Sequence, residues 1–80
     1  MSEEVRKRKI KNVLFGKGLV EEAFPEDMTA GEVLADLKRR GLLRNEAQEM
    51  KIDGEPIDLQ TRVRDLPEGA ASYSYSLKQG

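Results

Sequence analysis

The groups able to do chemistry in this 80-residue chain form a short inventory: carboxylates, amines, guanidiniums, hydroxyls and two phenols. There is no Cys and no His, which removes the commonest nucleophile, general base and zinc ligands together. Glu21-Glu22, Glu26-Asp27 and Asp53/Glu55/Asp58 offer neighbouring acids. Their spacing matches no calcium loop, and a hard cation needs more converging oxygens than these supply, so they read as solvated acids. Tyr73 and Tyr75 read as sheet-packing residues rather than nucleophiles. The densest charge cluster is Arg6-Lys-Arg-Lys-Ile-Lys11. Its functional reading is a stripe for phosphate or an acidic partner; with no interleaved aromatic to stack bases, a solvated strand face is favoured. No metal site, cofactor or enzymatic activity is expected from this set.

Composition bounds the rest. Hydrophobic residues make up 38% of the chain and charged residues 36%, so one small domain with a heavily solvated surface is expected. Fourteen Lys and Arg against fifteen Asp and Glu give a net charge of −1. A dedicated nucleic-acid binder would carry a basic excess. No apolar run approaches the roughly 20 residues that cross a bilayer, and no signal-peptide pattern follows Met1. The expectation is a soluble cytoplasmic protein with neither nucleic acid nor membrane as partner.

The elements that must position these groups can be read in order. Residues 1–4 are polar and expected to be disordered; a domain over residues 5–77 and a tail over 78–80 follow. Val5 to Phe15 reads as a first strand with imperfect parity. Ile10 and Leu14 share a face with Asn12, whereas Val13 and Phe15 fall on the other, so either a bulge shifts the register or Phe15 belongs to the turn. Gly16-Lys17-Gly18 is a hairpin signal. Leu19 to Phe24 returns, and Pro25-Glu-Asp stops it. Thr29-Ala-Gly-Glu32 is a capping box, followed by the apolar stripe Val33, Leu34, Leu37. Lys38, Arg39 and Arg40 suit the negative end of the helix dipole, and Gly41 is the natural terminator. The spacing predicts one helix over about Ala30 to Arg40. Glu49 to Ile52 alternates as a short strand after a polar stretch, Asp53-Gly54 turns the chain, and Ile57 and Leu59 point inward beyond it. Thr61 to Gly69 reads as a short turn or 3₁₀ piece followed by a tight loop. The last strand alternates, with Ala71, Tyr73, Tyr75 and Leu77 on one face and serines on the other.

Strands one and five would lie side by side within a mixed four- to five-stranded sheet, with the helix across one face: an α+β, β-grasp arrangement. At this level the chain resembles the ubiquitin-like family, and in particular its small prokaryotic modifiers, from about Arg6 to Gly80. Phe24-Pro-Glu-Asp27 followed by Thr29 resembles the Glu-Pro-Ser-Asp-Thr segment of ubiquitin. Gln48 to Ile57 resembles its third strand and turn, and Thr61-Arg-Val-Arg-Asp-Leu66 its Thr-Leu-Ser-Asp-Tyr turn.

The resemblance implies a protein that is conjugated to others through Gly80. An activating enzyme would adenylate that carboxylate, and a conjugating enzyme and a deconjugating peptidase would be the further partners. Leu77, Lys78 and Gln79 would be the recognised tail, which departs from the usual Gly-Gly end at Gln79. Lys7, Lys9, Lys11, Lys17, Lys38, Lys51 and Lys78 would be acceptors for self-conjugation. The family's apolar docking patch falls at Lys51 and near Ser74, both polar here, so a sheet-face partner would read Lys51 and the row Ser72, Ser74 and Ser76 through polar contacts. The alternative is a ubiquitin-like interaction domain that is never conjugated, such as a small subunit of an enzyme or secretion complex.

Overall fold

A computed structural model of the chain describes residues 6–14 and 16–75. The expectations for residues 1–4, for Phe15 and for Ser76, Leu77, Lys78, Gln79 and Gly80 lie outside that range. Five strands and one α-helix follow in the order β1 (Lys7–Leu14), β2 (Gly18–Pro25), α1 (Ala30–Arg39), β3 (Ala47–Ile52), β4 (Glu55–Ile57), a 3₁₀ turn (Val63–Asp65) and β5 (Ala70–Tyr75). The sheet order is β2-β1-β5-β3-β4. β1 and β5 run parallel at its centre and every other pair is antiparallel. This mixed sheet with one helix packed on it is a β-grasp-like α+β fold.

The helix forms where its local signals place it, because all four amides that a helix N-terminus leaves open are met. Thr29 N–H donates to Glu32 Oε1 (2.9 Å), and Glu32 N–H donates to Thr29 Oγ1 (3.2 Å), which closes the capping box. Ala30 N–H donates to Thr61 O and Gly31 N–H to Leu59 O, both at 2.8 Å. A Cβ at position 31 would stand 3.2 Å from that Leu59 oxygen, so glycine lets the distant loop come in as a cap. At the other end Gly41 takes φ +79°, and Leu42 N–H bonds back to Leu37 O (2.9 Å).

Ala30, Val33, Leu34 and Leu37 form the buried face of the helix. They meet Ile10 and Leu14 of β1, Phe24 of β2, Ala47, Met50 and Ile52 of β3 and Ala71 of β5 in one core. Ala47 belongs to this core although the residues around it read as a polar stretch. Ile57 and Leu59 are half-buried against the core, the first in β4 and the second beyond its end.

The register of β1 removes one of the two explanations for its imperfect parity. β1 pairs with β2 without a break from Lys7↔Pro25 to Leu14↔Gly18, so no bulge shifts it. Its even residues Ile10, Asn12 and Leu14 are buried and its odd residues are exposed. Asn12 faces inward at 1% exposure. It is tolerated there because Tyr73 donates its hydroxyl to Asn12 Oδ1 and Asn12 Nδ2 donates to Ile10 O (3.3 Å). The irregularity lies instead between Ala47 and Glu49, in the pairing of β3 with β5.

Candidate functional site

Strand alternation sorts the sheet into a core face under the helix and an open outer face. On β3, Met50 and Ile52 are buried while Glu49 and Lys51 are half-exposed. On β5, Ala71 is buried and Tyr73 packs against the core, which leaves Ser72 and Ser74 on the outer face. Lys51 pairs with Ser72 and Glu49 with Ser74. Three residues expected to form a sheet-face site, Lys51, Ser72 and Ser74, are therefore neighbours. Their polar capacity is partly used: Ser72 Oγ donates to Lys51 O (3.4 Å), and Lys51 Nζ lies 3.9 Å from Glu49 Oε1. Gly80 and the recognised tail lie beyond the described residues.

The basic run does not act as one stripe, because its members fall on opposite faces. Arg8 turns inward and its Nη1 donates to Val63 O (2.8 Å) and Leu66 O (2.7 Å). It ties β1 to the 3₁₀ turn, a structural role that its sequence neighbours do not reveal. Lys7, Lys9 and Lys11 stay exposed on the outer face. None of the three has an ion pair or side-chain hydrogen bond among the described residues.

Two outer-face residues were absent from the expected site. Val13 and Leu19 face each other across β1 and β2 and are 46% and 60% exposed, the only large hydrophobic residues so placed among those described. Ser72 pairs with Lys51, which pairs with Pro56, and the β1–β5 pairing ends one residue short of Val13, at Asn12↔Ala71. The outer face thus carries two cross-strand sets, Leu19–Val13 on β2 and β1 and Ser72–Lys51–Pro56 on β5, β3 and β4. The parity of Val13 was the signal available in the sequence.

Three of the seven neighbouring acids have partners for their carboxylates. Glu22 Oε2 accepts from Arg40 Nη2 (2.6 Å), and the same guanidinium reaches Asp36 (3.0 Å). Asp27 accepts from Arg64 through Oδ1 (2.8 Å) and from Arg62 through its carbonyl (2.6 Å). Asp58 Oδ1 accepts from Gln60 N–H (2.9 Å) in a local turn, and Asp53 heads the β3–β4 turn with φ +54°. No group of three or more such ligands among the described residues is placed to hold a metal ion. Burial pushes the Tyr73 phenol well above its ordinary value near 10.

Beside the central strands is an open groove of about 460 Å³, lined among others by Lys9, Lys11, Leu19, Glu21, Pro67 and Gly69. It lies where β1 runs past the start of β5, since their pairing begins only at Lys11↔Ala70. Comparison with protein-family models and with curated proteins finds no match for the chain.

Proposed function

We propose that this chain is a ubiquitin-like protein of prokaryotic type that acts in the cytoplasm by being bound and conjugated. The observation that carries the reading is the sheet order β2-β1-β5-β3-β4 with its parallel central pair and single helix. That layout is what the sequence resemblance implies, and the resemblance supplies the chemistry at Gly80. An activating enzyme adenylates the Gly80 carboxylate, a conjugating enzyme passes it to an amine on a target, and a peptidase reverses the bond. Glycine suits the step because, without a Cβ, it threads a narrow channel and leaves its carboxylate open to attack. The outer sheet face around Lys51, Ser72 and Ser74 is the surface by which partners recognise the domain. Incubating the protein with ATP and its activating enzyme should give an adenylate or thioester by mass spectrometry, abolished by deletion of Gly80. Absence of any adduct on the intact protein would overturn the conjugation.

A second reading is favoured by the exposed Leu19–Val13 pair: an interaction domain that docks through its sheet face and is never conjugated. In that case deletion of Gly80 leaves partner binding and the partner's activity unchanged.

A further inference from the structure

We infer that the outer face of β1 and β2, with the groove beside it, binds an extended, sparsely acidic peptide segment anchored by one apolar side chain. The inference rests on the reading that partners use the outer sheet face, and is independent of conjugation at Gly80. It begins from charge. Lys7, Lys9, Lys11 and Lys51 share this face with Glu21 and Glu49, and Glu68 stands at the rim of the groove. Lys51 has Glu49 within reach, whereas the three lysines of β1 have no carboxylate partner among the described residues. Even Lys11, paired in register with Glu21, forms no ion pair with it. The protein as a whole is net −1, so this excess of cations is local to the face.

Spacing specifies the partner further. Alternate residues of a strand stand about 6.7 Å apart on one face, so Lys7, Lys9 and Lys11 match carboxylates at alternate positions of a second extended chain. Two residues further along the same face lies Val13, paired with Leu19, as an apolar seat. The backbone favours an extended segment as well. Glu26 N–H bonds to Arg6 O, and this sets the alternation of the β1–β2 ladder. The peptide groups of Lys7 and Lys9 then point away from β2, towards the side where β5 has not begun. No strand pairs with them there among the described residues, and main-chain groups of that kind can take an added strand. Glu21 and Glu68 disfavour a continuous polyanion such as a nucleic-acid backbone, and among the described residues the face has no aromatic on which a base could stack.

The test uses the full chain, labelled with nitrogen-15, and synthetic peptides followed by amide shifts and fluorescence anisotropy. The probe Leu-Ser-Glu-Ser-Glu-Ser-Glu is compared with Leu-Glu-Glu-Glu-Ser-Ser-Ser, which has the same composition and blocked charge. Shifts should centre on Lys9, Lys11, Val13, Leu19 and Gly69. The alternating probe should bind about tenfold tighter than the blocked one, and Lys9→Glu with Lys11→Glu should weaken it by a further factor of about ten. The peptide comparison needs no variant, so it stands even where a substitution disturbs folding. Equal binding of the two peptides, tighter binding of oligothymidylate or of phosphatidylserine vesicles, or shifts confined to the helix face would overturn the inference. Outer-face shifts with an uncharged Leu-Ser peptide alone would overturn the acidic partner and keep the sheet-face reading. No outer-face shift with any probe would overturn both.

Discussion

At the residue scale, the two polar groups under the helix are informative because burial makes their hydrogen bonds obligatory. Tyr73→Phe would leave Asn12 Oδ1 buried with no donor. An unsatisfied buried acceptor costs about 1–3 kcal/mol, so urea unfolding of that variant should show a loss of this size. The same phenol predicts a pH dependence. Burial raises the Tyr73 pKa, so the folded chain holds the proton after the unfolded chain has released it. Below about pH 10 the phenol is neutral in both states and its contribution is complete; as pH rises beyond that towards the folded value, stability falls. The advantage of the native protein over Tyr73→Phe should therefore shrink as pH rises above about 10 in paired unfolding curves. None of this was readable from residue types. Asn12 counted as a fault in the parity of β1, and its partner lies 61 residues away.

At the element scale, α1 is the part most legible in the sequence, and the reason is local. The capping box, the stripe Val33, Leu34, Leu37 and the glycine after the last turn all act within a few residues. Thr29→Ala removes the acceptor for Glu32 N–H and should cost about 1 kcal/mol in chemical denaturation. The other half of the cap was not legible, because Leu59 and Thr61 reach Gly31 and Ala30 from beyond β4. Strand β5 was legible by strict alternation, which also grouped Ser72 with Ser74 correctly. The start of β3 was missed because Ala47 is small and flanked by polar residues; only the packed helix above it makes it a core position.

At the scale of the whole molecule, stability is uneven in a way the topology dictates. β1 and β5 are central, whereas β4 has three residues at one edge and pairs only with β3. Native-state hydrogen exchange should be slowest at Ile10, Met50 and Ala71 and faster throughout β4. Arg8 carries a related long-range role. Its guanidinium holds two carbonyls of the segment that turns the chain into β5. Hydrogen bonds to a charged group contribute about 1.5–3 kcal/mol, so Arg8→Ala should lower stability by that order, while Lys9→Ala should be nearly neutral in the same melts.

The sequence by itself determined the helix, its capping box and terminator, the two tight turns and the alternation of the last strand. Each of these depends on contacts within a few residues, so their signals survive without knowledge of the fold. Only the tertiary structure decided which residues of β1 face inward, since that depends on Tyr73 being available to satisfy Asn12. It also separated Arg8 from Lys7, Lys9 and Lys11, because strand alternation sends them to opposite faces once the helix has chosen a side. The outer-face pair Ser72–Lys51 exists only through a pairing between distant segments. A surface site on a sheet is set by register, and register is fixed by burial of the opposite face.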